Sequence, residues 1–221
     1  MARIVDLTHP LVPGASGRKF EAEMICADEV NPGVVRLENQ WYIMHNVRMV
    51  NHLGTHIEVP YHLMKDGSDL ASFPLERLCG EAVVLDLRDL APRSAIPVEE
   101  VERAARAAGG VRDGDIVLCN LGYADRYGTP AYDEKPWFST PAIEWLAGSG
   151  MKMMGVDASG VEIPGSEEHV NHMALFTRGI ALIENLAGLD RLSRTRVTLY
   201  AFPIAAVRID SFPLRVVAFE D

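Results

Sequence analysis

A chain of 221 residues with 48% apolar side chains can bury a sizeable core in one domain or two fused lobes, and a charged share of 24% argues against disorder. The formal net charge of −10, with no basic run, argues against a nucleic-acid binder, whose phosphate partner demands clustered Lys and Arg. No apolar run approaches the roughly 18 residues that cross a bilayer, and three dispersed cysteines without a signal-peptide core point to reduced thiols and a cytoplasmic location.

In chain order, residues 3–7 read as a strand ending at Thr8-His9-Pro10, followed by a loop containing Pro13, Gly14 and Gly17. Residues 22–30 and 33–50 alternate apolar and polar side chains, predicting antiparallel strands joined at Asn31-Pro32-Gly33. After a histidine-rich segment at 51–63, residues 81–88 predict another strand. Pro97 opens a helix over 98–108, with Glu99, Glu100 and Glu102 near its positive end and Gly109-Gly110 stopping it. Residues 114–121 predict a buried strand, which makes Cys119 a packed thiol rather than a nucleophile. A Gly-, Pro- and aromatic-rich loop covers 122–140, Thr140-Pro141 caps and opens a helix through Gly148, and strands follow at 151–157, 196–207 and 214–219. Without repeats or a low-complexity linker, one α/β unit over 1–221 with a mixed sheet is the simplest architecture.

The chemistry concentrates in His52, His56, Glu58 and His62. A four-residue histidine spacing suggests a helix, but Gly54, Thr55, Val59 and Pro60 disfavour one. In an extended chain the four residues have equal parity and face one way, with Gly54 letting the backbone bend so that ligands converge. Two imidazoles and a carboxylate suit Zn²⁺, Mn²⁺ or Fe²⁺ and leave positions open for water and substrate. A lone histidine is usually structural; three with a matching carboxylate are harder to dismiss. His62, just beyond the ligands, is placed to carry a proton. A second cluster holds Glu167, Glu168, His169, His172 and Glu184. Residues 173–183 read as a short helix, a turn at Gly179 and a strand, a return that could bring His172 and Glu184 together, whereas Glu167 and Glu168 suit a solvated helix start.

The segment His52-Leu-Gly-Thr-His56-Ile-Glu58-Val-Pro-Tyr-His62 resembles the signature His-x-Gly-Thr-His-x-Asp-x-Pro-x-His of the cyclase family of metal-dependent hydrolases, which includes bacterial kynurenine formamidases and isatin hydrolases. The likeness extends through Ile4-Val5-Asp6-Leu7-Thr8, Asp115-Ile-Val-Leu118, Gly122-Tyr123, Gly155-Val-Asp-Ala-Ser159, His172, Glu184-Asn-Leu186 and Pro213-Leu-Arg-Val-Val-Ala218. It implies a swivelling β/β/α fold, a homodimer or homotetramer, and hydrolysis of C–N bonds in small linear or cyclic amides. It also implies one or two Zn or Mn ions, with His52, His56 and Glu58 as ligands of the first, His172 and Glu184 completing the site, and His62 transferring protons. Glu58 departs from the family Asp; its extra methylene reaches about 1.5 Å further. Tyr123 stands where formamidases commonly carry Trp, so the substrate is expected to differ from N-formylkynurenine.

Other residues carry weaker signals. Trp41, Tyr123, Tyr127, Trp137 and Phe138 could line a substrate pocket, though each alone suits a core or loop anchor. Arg18 could face a substrate carboxylate, with surface solvation the simpler role, and His9, His45 and Asp157 read as structural. Two other functions remain open on the same residues: opening or closing of a lactone or polyketide ring, and non-catalytic metal binding by a regulatory protein.

Overall fold

Strands that are apolar at every position, such as Ile116-Val-Leu-Cys119, need cover on both faces. A computed structural model, which describes residues 3–15, 17–33 and 37–220, supplies it. The elements in chain order are β1 (Arg3–Asp6), β2 (Phe20–Cys26), α1 (Ala27–Val30), β3 (Ile43–Met49), β4 (His56–Glu58), β5 (Cys79–Asp86), β6 (Ala95–Ile96), α2 (Val98–Ala107), β7 (Ile116–Asn120), β8 (Trp137–Phe138), α3 (Thr140–Gly148), β9 (Met153–Val156), α4 (Val170–Phe176), β10 (Ala181–Glu184), β11 (Arg196–Tyr200), β12 (Ser211–Pro213) and β13 (Val217–Glu220).

Nine strands form one mixed sheet in the order β1-β13-β11-β5-β7-β9-β10-β4-β12. Its centre, β5-β7-β9-β10, is parallel. Its flanks, among them β4 with its neighbours β10 and β12, are antiparallel. Alternation along each strand then sorts side chains into two cores. Val83, Leu85, Val117, Cys119, Met154 and Leu182 face helices α2, α3 and α4, where they meet Val101, Ile143, Leu146, Leu175 and Phe176. Ala82, Ile116, Leu118, Met153 and Ile183 face the other way and meet Val5, Ile57, Val197, Leu199 and Ala218 from the flanking strands. The sheet therefore curls around this second core, giving the mixed α/β architecture anticipated from the sequence.

Helix α2 follows the expected pattern, burying Val101, Ala104 and Ala105 on one stripe and ending where Gly109 and Gly110 take positive φ. Ser139, rather than Thr140, caps α3, its hydroxyl accepting from the Ala142 amide at 3.4 Å. The strand expected over 196–207 stops at Tyr200, and the chain re-enters the sheet only at β12. The paired strands expected over 22–50 are present as β2 and β3, in register from Phe20↔Met49 to Cys26↔Ile43. They are shorter than anticipated because α1 occupies 27–30, and residues 34–36 lie outside those described.

Candidate metal centre

Strand β4 is pinned on both sides, Glu58 lying opposite Leu182 of β10 and Ser211 of β12, and His56 opposite Glu184 and Pro213. Ile57 takes the second core, so His56 and Glu58 must share the opposite face, which Glu184 also reaches by the parity of β10. Helix α4 closes over that face. It is anchored by Asn171, whose Nδ2 donates to the carbonyls of Phe138 at 2.9 Å and Val161 at 2.8 Å, and this places His172 above the two carboxylates. The short helix, Gly179 turn and strand anticipated between His172 and Glu184 thus do bring them together.

Glu58 is the hub. Its Oε1 lies 2.7 Å from His52 Nδ1 and 3.4 Å from His56 Nε2, and its Oε2 lies 3.3 Å from His172 Nε2. Glu184 stands 3.6 Å from His56 Nε2 and 3.7 Å from His172 Nε2. Two donor triplets share Glu58, His52-His56-Glu58 and Glu58-His172-Glu184, and His52-His62-Asp210 and Glu162-His169-His172 flank them, each with its candidate ligand atoms within 4.8 Å of one another. His52 precedes the bend at Gly54 (φ +60°) and His62 ends a 3-10 turn over Pro60–His62, so the single extended strand imagined from the spacing is limited to residues 56–58. The His62 ring still comes to 4.5 Å from that of His52 and 6.3 Å from that of His172.

Local hydrogen bonds aim the imidazoles. His56 Nδ1–H donates to the Gly54 carbonyl at 2.8 Å, leaving the Nε2 lone pair pointed into the cluster. The same carbonyl accepts from Asn185 Nδ2, also at 2.8 Å. Among the described residues, the buried atoms His56 Nε2 and Glu58 Oε2 have no hydrogen-bond partner. Orphaned buried polar atoms are costly, so a nitrogen lone pair and a carboxylate oxygen directed at one gap fit a divalent cation. Without one, protons hold the carboxylates together. Despite its burial, His172 is pushed up to about 11 by Glu162, Glu184 and Glu58. Burial would raise Glu58, yet His172, His52 and His56 hold it well below the usual carboxylate range.

Two members of this network gave no signal in the sequence. Glu162 Oε1 accepts from the backbone N–H of His172 at 2.8 Å and lies 2.9 Å from its Nδ1, the second-sphere arrangement that orients ligating imidazoles. Asp210 Oδ2 lies 2.8 Å from His52 Nε2 and 2.7 Å from His62 Nδ1. Glu167, Glu168 and His169 remain exposed ahead of α4.

A cavity of about 850 Å³ opens beside the cluster, with His52, Gly54, Glu184 and Asn185 on its inner wall and Tyr127 and Tyr132 on its side. Arg18 also lines it and donates to the His52 carbonyl. Of the aromatic residues singled out from the sequence, only Tyr127 reaches this cavity. Tyr123 and Phe138 are core, Trp137 is partly buried and Trp41 is exposed. Asp157 is structural, accepting from the amides of Leu121, Gly122 and Tyr123 at 2.7, 2.9 and 3.0 Å. Cys119 is fully buried, and desolvation pushes its thiol up, as expected of a packed residue.

A curled mixed sheet carrying three buried or half-buried imidazoles and two carboxylates beside an open cavity defines a hydrolase that uses a divalent metal and takes a small-molecule substrate. Comparison with known proteins agrees. The Cyclase family model matches residues 5–163, and the chain belongs to that family. It is 30% identical to the kynurenine formamidase of Erythrobacter litoralis over 176 residues, covering 78% of this chain and 74% of the relative. To that of Bacillus cytotoxicus it is 27% identical over 219 residues, or 96% and 95%. Among solved structures, isatin hydrolase A from Labrenzia aggregata bound to benzyl benzoate superposes with a TM-score of 0.82 at 25% identity, over 99% of this chain and 94% of that one. No helix among the described residues is long and apolar enough to cross a membrane.

Proposed function

We propose that this protein hydrolyses the C–N bond of a small linear or cyclic amide, with His52, His56, Glu58, His172 and Glu184 holding one or two Zn²⁺ or Mn²⁺ ions and His62 moving the proton. The observation that carries this reading is the pair of orphaned buried atoms, His56 Nε2 and Glu58 Oε2, in a cluster whose members His52 and Glu184 line an open cavity. Glu58 is shared by the triplets His52-His56-Glu58 and Glu58-His172-Glu184, which makes it the residue through which two ions would be coupled. A divalent cation held there supplies a Lewis acid that acidifies water and steadies negative charge on a carbonyl oxygen.

The protein's own groups account for the rest. The Gly54 carbonyl keeps the His56 proton on Nδ1, and Glu162 fixes the ring of His172 from behind. His62 is part-exposed with its ring 4.5 Å from that of His52, where an imidazole can take a proton from attacking water and return it to the departing nitrogen. Tyr127, Tyr132 and the apolar side chains of Leu11 and Phe20 give the cavity room for a ring-bearing substrate. A homodimer or homotetramer in the cytoplasm, as the family likeness suggests, completes the proposal.

The test is turnover of aryl formamides, lactams and lactones by protein loaded with Zn²⁺ or Mn²⁺ and by chelator-stripped protein. Metal-dependent amide cleavage is expected. Cleavage of lactones alone would replace it with the ring-opening alternative, and protein that takes up neither ion at micromolar concentration would refute it. His62→Ala should lower the rate roughly 10²–10⁴-fold with metal content unchanged; a purely metal-binding protein would show no turnover to lose.

A further inference from the structure

Asp210 lies on neither ligand-bearing segment, yet it touches two of their histidines. One of its oxygens, Oδ2, is 2.8 Å from His52 Nε2 and 2.7 Å from His62 Nδ1. A carboxylate oxygen can only accept, so each ring nitrogen facing it must carry hydrogen. The other oxygen, Oδ1, accepts from Asn51 Nδ2 at 2.7 Å, and the same Nδ2 donates to the Ser211 carbonyl at 3.2 Å. Because Nδ2 sits between two acceptors, the orientation of the Asn51 amide is determined. The backbone is held as well, the Val59 amide donating to the Asp210 carbonyl at 3.0 Å.

We infer that Asp210 is the positioning residue that places the ring proton of His62 on Nδ1 and so reserves Nε2 as the proton-accepting face. This deepens the proposed hydrolase reading and rests on it for the role of His62. The same carboxylate keeps a proton on His52 Nε2, which leaves Nδ1 as the nitrogen turned toward Glu58 and the metal gap. One carboxylate thus holds hydrogen on Nε2 of one ring and on Nδ1 of its neighbour, while His52 Nδ1, 2.7 Å from Glu58 Oε1, donates there unless a metal ion takes the place of its proton.

Asn51 makes the inference testable by isosteric exchange. In Asp210→Asn the new amide must offer its oxygen to Asn51 Nδ2, which turns its NH₂ toward the imidazoles. A donor facing His62 Nδ1 forces the ring proton onto Nε2, where it blocks proton acceptance. Removing the Asn51 amide in Asn51→Ala/Asp210→Asn lets the new amide rotate and present oxygen to His62 again.

The decisive experiment assigns the His62 tautomer by ¹⁵N NMR of histidine-labelled, zinc-loaded and chelator-stripped protein, and measures kcat, KM and zinc content alongside. Asp210→Asn should move the His62 proton from Nδ1 to Nε2 and cut kcat roughly 10²–10⁴-fold at saturating zinc, with KM within about threefold. The double variant should regain at least about tenfold of that loss, whereas damage to packing alone would make it worse. An unchanged tautomer in Asp210→Asn, or a flipped tautomer with unchanged kcat, would overturn the inference while leaving the hydrolase reading intact. If the wild type turns over no amide, that reading fails instead, and the ring-proton assignment still decides what Asp210 does. Should Asp210→Asn fail to fold, the wild-type tautomer decides: a His62 proton on Nε2 sinks the proposal.

Discussion

Shortening Glu58 to Asp removes one methylene, about 1.5 Å of reach, from the carboxylate on which three imidazoles converge. The backbone cannot follow the loss, because Glu58 is paired with Leu182 on one side and Ser211 on the other. Separations that now measure 3.3 Å to His172 and 3.4 Å to His56 would open to about 4–5 Å, and the carboxylate would fall short of the gap they surround by the same amount. A carboxylate contact to a cation is a charged contact, worth at least roughly 1.5–3 kcal/mol. Losing one such contact corresponds to roughly a 10–150-fold fall in metal affinity. Competition against a chromogenic chelator measures this directly, and metal content after desalting reports whether the number of bound ions falls as well. Affinity within about threefold of wild type, at unchanged stoichiometry, would show that Glu58 is not the shared hub and would refute the reasoning.

Two further outcomes test the frame around the site. Glu220 accepts from the amides of Ser193 and Arg194 and pairs with Arg3; burial opposes ionisation, but these donors hold its pKa below the ordinary value. The depressed folded-state pKa gives stability that is present above the unfolded pKa of about 4.3 and lost as pH falls through the folded one. Glu220→Gln should therefore be less stable than wild type at pH 7, with the gap in Tm closing on acidification below about pH 4; a pH-independent gap would contradict the linkage. Asp157→Ala strands the amides of the buried Leu121 and Tyr123, at about 1–3 kcal/mol each, while the Gly122 amide keeps Asn120 Oδ1 at 3.1 Å. Urea denaturation should show a loss of several kcal/mol, and a loss under about 1 kcal/mol would mean that the loop re-pairs.

The sequence exposed those parts of the site that obey local rules. His56 and Glu58 share a face because period-two parity operates within β4, and Glu184 joins them by the same rule within β10. Gly179 ends α4 at a positive φ, so the return from His172 to Glu184 was legible as helix, turn and strand. His52 and His62 reach the cluster by a different route, through the Gly54 bend and the 3-10 turn after Pro60, which parity could not describe. Asp210 and Glu162 stayed invisible for a non-local reason. Asp210 is delivered by the pairing of β12 with β4, across 148 residues from His62, and strand register cannot be read from spacing. Glu162 sits in an irregular loop whose course depends on the packing of Asn171 against Phe138 and Val161. The buried strand at 114–121 was legible from its continuous apolar run, whereas the parallel pairing of the sheet's centre and the boundaries at 27–30 and after Tyr200 depended on tertiary context.

Anomalous diffraction from crystals grown with Zn²⁺ or Mn²⁺ would put the shared cation itself to the test. A peak about 2.0–2.3 Å from both His56 Nε2 and a Glu58 carboxylate oxygen is expected, with His172 or Glu184 also in its coordination sphere. Well-ordered crystals with no peak there, or with ions bound only at surface carboxylates, would contradict the metal centre and the chemistry derived from it.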